Sequence, residues 1–319
     1  MEETKYATIL LNQQANKYYS PRDLMYSNDP GFYLSPYDYG KYLDYLDEWL
    51  DKPRKQDAVI DLPLKSFNTK HIYYIINTGL LAYNNEYISL LTEAVKERKP
   101  LLADYLKDVA YKSRIYSEIE GTLNVENVPT TRKRLKELIE KDFKPESLND
   151  VIIKNMDEGL RFIYSIPEFN KDNLLKLYKI LSDGCLKKED EIKEGNYYRD
   201  DDVEVDSYIG CPFRQVEECM ESLFSFVKDK LKNGNGLEKI YLPHICHYYI
   251  AYIHPYFDYN GRTARMVSLW INLLSNHNMM PPLISEAINQ DKKDYYQALR
   301  DTRNSRNDFT YFLILKQVY

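Results

Sequence analysis

Apolar side chains recur at spacings of three and four residues through most of this chain, and this periodicity restricts the fold more than any other feature. Ile76, Leu80 and Tyr83 show it early, and such spacing is what an amphipathic helix requires. Only residues 203–206 alternate as a strand does, and turn residues follow them. The sequence therefore predicts an all-α fold with one β-hairpin at residues 203–211. Further helices are predicted at residues 132–143, 151–166, 173–182, 216–231, 243–253, 261–274 and 293–303.

The composition indicates a folded protein that binds neither DNA nor membranes. Hydrophobic residues make up 44% of the 319 positions, enough for a packed core. The formal net charge is -6, whereas nucleic-acid-binding domains usually carry a basic excess. No apolar run approaches the roughly 20 residues that cross a bilayer, and the four cysteines lack the paired spacing of a metal site. We expect a soluble, cytoplasmic protein, with short helices and loops in residues 1–60.

The segment from His254 to Arg265 combines a helix end with a helix start. Proline follows His254 directly, and because proline disfavours a helical predecessor, the preceding apolar helix should end there. A new helix is predicted to open at Asn260-Gly261. Its first N–H groups have no acceptor within the helix and attract anions. Arg262 and Arg265, three residues apart on one helical face, strengthen this site.

Asp258 lies between the two predicted helices, and carboxylate oxygens of this kind hold Mg²⁺ beside phosphate groups. The loop therefore presents a histidine that titrates near neutrality, a metal-binding carboxylate, a helix start and two guanidinium groups. Catalysis of phosphoryl or nucleotidyl transfer consists mostly of positioning and charge stabilisation, which this set of groups can supply.

This segment resembles the signature of the Fic family, His-x-Phe-x-Asp/Glu-Gly/Ala-Asn-Gly/Lys-Arg-x-x-Arg. Tyr256 replaces the signature phenylalanine, and Tyr259 replaces the small residue. Residues 195–205 are similar to the family's lead-in to its flap, and residues 295–299 to its closing helix. The resemblance implies a helical core with one hairpin flap, preceded by an N-terminal helical region. The matching positions are His254, Asp258, Asn260, Gly261, Arg262 and Arg265.

The resemblance assigns a role to each matching position. His254 would be the general base that deprotonates a target hydroxyl, Asp258 would hold Mg²⁺ at the phosphates of ATP, and Arg265 would reach the γ-phosphate. The hairpin, with Val203 and Val205, would clamp the target segment by strand addition. The residues expected to cradle the α- and β-phosphates are Asn260, Gly261 and Arg262.

A second segment, Ile119-Glu120-Gly121, resembles the family's inhibitory motif Ser/Thr-x-x-x-Glu-Gly, with Tyr116 at the Ser/Thr position. By this resemblance Glu120 would pair with Arg265 and block the γ-phosphate. From the residues alone, Gly121 could equally cap a helix and Glu120 could be a solvated side chain.

The predicted organisation places a boundary inside the chain. Residues 1–140 would form the N-terminal region, which carries the inhibitory helix at about residues 101–121, and residues 141–319 would form the Fic core.

The leading hypothesis is a protein adenylyltransferase restrained by Glu120. It would transfer AMP from ATP to a Ser, Thr or Tyr hydroxyl of a target protein, including itself. Glycine at position 261 favours this over the phosphate-transferring variant of the family, which has lysine there. Two alternatives remain. The same site could remove AMP, with Glu120 orienting water, or Tyr259 could have turned the chain into a nucleotide-sensing interaction module. Whether the chain forms a homo-oligomer is left open.

Overall fold

The computed structural model describes residues 2–15, 19–52, 58–82, 84–85, 88–89, 104–165, 167–205, 208–275 and 284–317. Most of the helical pattern predicted between residues 83 and 103 lies outside these ranges, as does Asp206 of the hairpin. In chain order the elements are α1 (Glu2–Ala15), α2 (Pro21–Met25), α3 (Pro36–Asp51), β1 (Val59–Asp61), β2 (Tyr73–Ile75), α4 (Asp104–Val125), α5 (Arg132–Ile139), α6 (Leu148–Tyr164), α7 (Lys171–Ser182), β3 (Glu204–Val205), β4 (Tyr208–Ile209), α8 (Phe213–Asn233), α9 (Gly236–Ile253), α10 (Asn260–Ser275), α11 (Ile284–Gln290), α12 (Lys292–Asn304) and α13 (Thr310–Gln317).

The predicted fold class is confirmed, because the described residues are mostly helical and β3 and β4 form the predicted hairpin. The structure adds a two-stranded sheet that the sequence pattern did not predict. In it β1 and β2 run antiparallel and pair Val59 with Ile75. Tyr73 and Ile75 are fully buried, so β2 is a continuous apolar run, which periodicity cannot distinguish from a helix. Among the described residues, no helix is both long and apolar enough to cross a bilayer.

The chain divides into two compact units. One comprises Met1–Arg98 with Lys293–Val318, and the other comprises Lys99–Lys292. The boundary predicted between residues 140 and 141 stays a prediction, although the contacts group helix α4 with the elements that follow it.

In the first unit, serine caps begin the helices. Ser20 and Ser35 accept hydrogen bonds from backbone N–H groups of the first turns of α2 and α3, and proline follows each serine. Proline fits the first helical position because its missing N–H would have no helical partner there. Pro21 and Pro36 therefore start two of the helices in residues 1–60, where the sequence analysis expected short helices and loops. The core of this unit is formed by Tyr6, Ile9, Leu24, Leu34, Tyr39 and Tyr42, next to Leu10, Leu46, Leu50, Tyr73 and Ile75.

The second unit is organised around two buried helices, α9 and α10, which pack against each other. Helix α9 starts at a capping box, in which Asn235 and Glu238 bond each other's backbone N–H groups at 2.9 Å. It therefore runs through Pro243, where the sequence pattern had placed its start. Nearly every residue of α9 from Tyr241 to Ile253 is buried, and its C-terminal end is consequently held firmly by the core.

Helix α4 packs against α11 and continues past Gly121 to Val125, beyond the end predicted near residue 121. Gly121 is the closest point of this contact. A Cβ atom there would lie 2.4 Å from the backbone nitrogen of Glu286 and 2.6 Å from the carbonyl carbon of Ser285. One turn earlier, both carboxylate oxygens of Glu118 lie 3.0 Å from the backbone nitrogen of Ser285. Gly121 thus permits a close helix crossing and does not end the helix.

We expect Gly121→Ala to destabilise the protein by about 2 kcal/mol, because an overpacked contact against backbone costs more than the helix propensity of alanine returns. Urea denaturation followed by circular dichroism measures this as a lower midpoint. The matched control is Gly236→Ala at the start of α9, where an added Cβ meets nothing within 4 Å. The control should keep or slightly raise the midpoint, and equal midpoints for the two variants would contradict the close contact.

Candidate active site

The loop between α9 and α10 has two residues with left-handed backbone. His254, directly after α9, has φ 56° and ψ 62°, and Tyr259, before α10, has φ 64°. Asn260 closes the loop between them, since its side chain accepts a hydrogen bond from the Tyr256 N–H at 3.0 Å and donates one to the Tyr256 carbonyl at 2.8 Å. Both ends of the amide are thereby occupied. The side chain of Asn260 therefore shapes the loop in this structure. Its expected part in cradling the phosphates stays a prediction.

Tyr256 anchors the loop in the core, at the position of the phenylalanine in the signature. Its ring is fully buried and stacks on Tyr178, with 3.6 Å between the ring centroids and 10° between the planes. The ring can therefore replace phenylalanine without changing how the loop is held.

His254, the predicted general base, is a neutral imidazole in this structure. Its Nδ1 lies 3.3 Å from the carbonyl oxygen of Ala251, and because a carbonyl only accepts hydrogen bonds, Nδ1 carries the proton and Nε2 the lone pair. The pKa of His254 is lowered to about 4, mainly by burial and also by the nearby charge of Arg199, while the Ala251 bond and Asp258 oppose the shift. The imidazole is consequently neutral at pH 7.

Arg199 holds the loop to the hairpin segment, a role that the sequence analysis did not assign. Its guanidinium is buried and donates to the carbonyl of His254 at 2.8 Å, to that of Asp201 at 2.6 Å and to that of Cys211. Its backbone N–H bonds Pro255 at 3.0 Å. Because three carbonyl groups satisfy one buried cation, Arg199 fixes the strained His254 backbone and both ends of the hairpin together.

The hairpin lies where the sequence predicted it and contacts the same loop. Val205 pairs with Tyr208 across the two strands, and the Val203 carbonyl accepts the Gly210 N–H at 3.0 Å. The Tyr208 hydroxyl donates at 3.2 Å to the Ala251 carbonyl, which also bonds His254. The side chain of Ile209 is 71% exposed, so the hairpin offers an apolar residue to a partner.

A carboxylate lies at the start of α10, where the sequence predicted an anion site. Arg265 is 2% exposed, and it donates to Oγ1 of Thr122 at 2.9 Å and to Oε1 of Glu126 at 2.5 Å. A Cβ on Gly261 would lie 2.9 Å from the same Oε1 atom. Burial opposes ionisation of Glu126, but the charges of Arg265 and Arg262 outweigh it and leave its pKa lowered. Glu126 is thus an anion held at a helix N-terminus.

The predicted pairing of Glu120 with Arg265 is wrong. Glu120 bonds Arg132 at 3.1 Å, and both side chains are more than a third exposed. The physical reason is that α4 does not end at residue 121. At 100° per residue, Glu126 lies about 120° around the helix from Glu120, so the two carboxylates point to different sides.

A signal for Glu126 was present in the sequence. Thr122 and Glu126 have the Ser/Thr-x-x-x-Glu spacing, and Asn127 follows where the motif has glycine. Asn127 has φ 57°, a left-handed conformation that asparagine adopts more readily than most residues.

Asp258 and Arg262 complete the site. Asp258 is exposed, and its Oδ1 accepts the Tyr259 N–H at 2.6 Å. The other carboxylate oxygen, Oδ2, takes no part in that bond. Arg262 is 8% exposed, and its Nε has no hydrogen-bond partner. Its guanidinium carbon lies 3.4 Å from the centre of the Tyr259 ring. The predicted base His254, the carboxylate Asp258 and the arginine Arg262 therefore lie in one loop and the helix turn that follows it.

Several known proteins and solved structures are similar to this chain. A protein adenylyltransferase Fic from Nematostella vectensis is 30% identical over 111 residues, which cover 35% of this chain and 24% of that protein. The same enzyme name is carried by a Drosophila mojavensis protein, 26% identical over 200 residues, 61% of this chain and 37% of that protein. The matched segments thus span well under half the length of either relative.

A Fic family protein from Desulfovibrio desulfuricans has a similar fold, with a TM-score of 0.58 at 20% identity over 77% of this chain and 72% of that one. Residues 168–271, which contain the hairpin, α9, the loop and most of α10, match the Fic/DOC family. This match, the shared fold and the geometry of the loop identify this part of the chain as a Fic domain.

Proposed function

We propose that this protein transfers AMP from ATP to the hydroxyl group of a Ser, Thr or Tyr side chain on a target protein. One observation carries the proposal: neutral His254 and the anion-binding start of α10 are held at opposite ends of one closed loop. A base for the hydroxyl and a site for phosphates are the two requirements of nucleotidyl transfer. The names of the two enzyme relatives support the same reaction.

In the proposed reaction, Nε2 of His254 takes the proton of the target hydroxyl. The hydroxyl oxygen forms a bond to the α-phosphorus while the bond between the α- and β-phosphates breaks, and pyrophosphate leaves. The first N–H groups of α10 and the guanidinium of Arg262 would stabilise the charge on the phosphates. These donors are fixed before ATP arrives, so little reorganisation is needed during the reaction.

Asp258 would hold the Mg²⁺ that accompanies ATP. The described residues contain no group of three or more His, Cys, Asp or Glu able to hold a metal ion. The proposed ion would instead be bound by one carboxylate and by the phosphates of its own nucleotide, as Mg²⁺ commonly is. When bound, Mg²⁺ supplies positive charge to the phosphates.

The hairpin would bind the target segment. Its strands pair only with each other among the described residues, so their outer edges can accept an added strand next to Val203 and Val205. Arg199 and the Tyr208 hydroxyl join this hairpin to the backbone around His254. A segment added to the hairpin would therefore be placed relative to the base by a short series of hydrogen bonds.

Glu126 would restrain the reaction. Its carboxylate occupies the positive site formed by Arg265 and the start of α10, and a phosphate group is attracted to the same site. The two anions compete for one guanidinium, so ATP would seat fully only when Glu126 leaves Arg265. This proposal replaces the restraint by Glu120.

One observation also favours removal of AMP as a second activity. Glu126 is ionised, since its pKa is lowered, and an ionised carboxylate in the site can orient an attacking water molecule. A target protein that already carries labelled AMP is incubated with this protein. Loss of the label with the wild type, but not with Glu126→Ala, would identify this activity.

We expect Glu126→Gly to raise AMP transfer at least tenfold, because couplings of this kind commonly amount to 5–150-fold, about 1–3 kcal/mol. Purified protein is incubated with α-labelled ATP, Mg²⁺ and cell lysate, and the label on protein is counted. Glu120→Gly is the matched control: it removes a carboxylate from the same helix that bonds Arg132 instead, and its transfer should equal the wild type. Adding His254→Ala to Glu126→Gly should abolish labelling. Activation by Glu120→Gly and not by Glu126→Gly would refute the reassignment.

The low pKa of His254 predicts the acid limit of the reaction. The base must be neutral, so kcat/KM of the Glu126→Gly variant should stay level as pH falls from 7 to 5.5 and decline only as pH approaches about 4. Kinetics across this range, with circular dichroism at each pH to confirm folding, provide the measurement. A decline centred near the ordinary histidine value of about 6.5 would show that the ring is solvated.

A further inference from the structure

Tyr259 takes the place of the small residue in the signature, yet it keeps the backbone shape that glycine would allow. Its φ is 64°, a conformation that costs a bulky residue energy. Hydrogen bonds on both sides hold it there. Asp258 accepts the Tyr259 N–H at 2.6 Å, and the Tyr259 carbonyl accepts the Thr263 N–H at 2.9 Å. The loop shape is therefore retained, and the ring is an addition to it.

The ring of Tyr259 is itself fixed. It is 4% exposed, and its hydroxyl makes a hydrogen bond with Cys185. A tyrosine side chain is neutral at physiological pH. A neutral phenol ring has a negatively polarised face, which attracts a cation placed above it.

Arg262 lies on that face. Its guanidinium carbon is 3.4 Å from the ring centre, close enough for flat stacking. The Nε atom of this buried side chain has no partner, and no described carboxylate forms an ion pair with Arg262 within 4.0 Å. Its charge nevertheless contributes to lowering the pKa of Glu126, so the guanidinium is near the anion site. The ring occupies the face of the guanidinium and leaves N–H groups at its edge for an oxygen ligand.

We infer that Tyr259 is a positioning residue whose ring holds the guanidinium of Arg262 in the orientation that binds a phosphate of the nucleotide. The inference rests on the proposed function and adds a residue to it. An arginine that is already stacked loses less side-chain freedom when phosphate binds. Tyr259 therefore strengthens ATP binding, whereas impaired catalysis was the alternative that the sequence had left open.

The test is a double-mutant cycle on ATP affinity, measured by calorimetry with Mg²⁺ in the Glu126→Gly protein, so that Glu126 does not compete. Tyr259→Phe keeps the ring and should bind ATP within about threefold of the parent. Tyr259→Leu and Tyr259→Gly remove it and should bind about tenfold more weakly, as expected for a desolvated cation–π contact. Glycine also relieves the backbone strain, so weaker binding by that variant cannot come from strain. Thermal melts confirm that each variant is folded.

Arg262→Gln closes the cycle. If the ring acts through Arg262, adding Tyr259→Leu to Arg262→Gln should cause no further loss of affinity. Additive losses, unchanged affinity in the ring-less variants, or tighter binding would each overturn the inference. AMP transfer by the parent is measured in parallel. If the parent transfers AMP and the losses of affinity are additive, only the role of Tyr259 is rejected. If the losses are coupled but no AMP is transferred, the proposed reaction is rejected and the role of Tyr259 stands. A parent that binds no ATP overturns both.

Discussion

The positive charge at the start of α10 is the constraint on which the rest of this site depends. The buried guanidinium of Arg265 and the guanidinium of Arg262 both belong to the first turns of α10, whose first N–H groups have no acceptor within the helix. Leaving a buried charge without a partner is costly, and in this structure Glu126 pairs with Arg265. Gly261 has no side chain, which lets the carboxylate come close. Under the proposed function a nucleotide phosphate would use the same charge, so Glu126, the partner of Arg265 in this structure, would compete with the substrate.

A second constraint is the strained loop, whose conformation is maintained by contacts from several segments. His254 and Tyr259 both have left-handed backbone, and non-glycine residues keep such conformations only where their surroundings enforce them. The Asn260 amide holds the middle of the loop, and Arg199 holds the His254 carbonyl. Since Arg199 also bonds both ends of the hairpin, the base and the surface proposed to bind the target form one connected structure.

Several properties of the site could be predicted because they depend on residues close together in the chain. The end of α9 at His254 and the start of α10 at Asn260 follow from proline and from helix-end chemistry. The pairing of Arg265 could not be predicted in this way. It depends on where α4 ends, and the motif Ser/Thr-x-x-x-Glu-Gly occurs in modified form at two consecutive places, residues 116–121 and 122–127. The first was chosen because a glycine followed it, but that glycine serves the crossing with α11.

The sequence by itself determined the helical class, the hairpin, and the order of base, carboxylate and arginines in one loop, since each follows from periodicity or from chemistry within a few residues. The tertiary structure decided which groups in this segment are free to act. In it the Asn260 amide closes the loop, Glu126 pairs with Arg265, and Arg262 stacks on Tyr259. A hydrogen bond or an ion pair has a limited number of donors and acceptors, and only the packed chain shows which of them are already occupied.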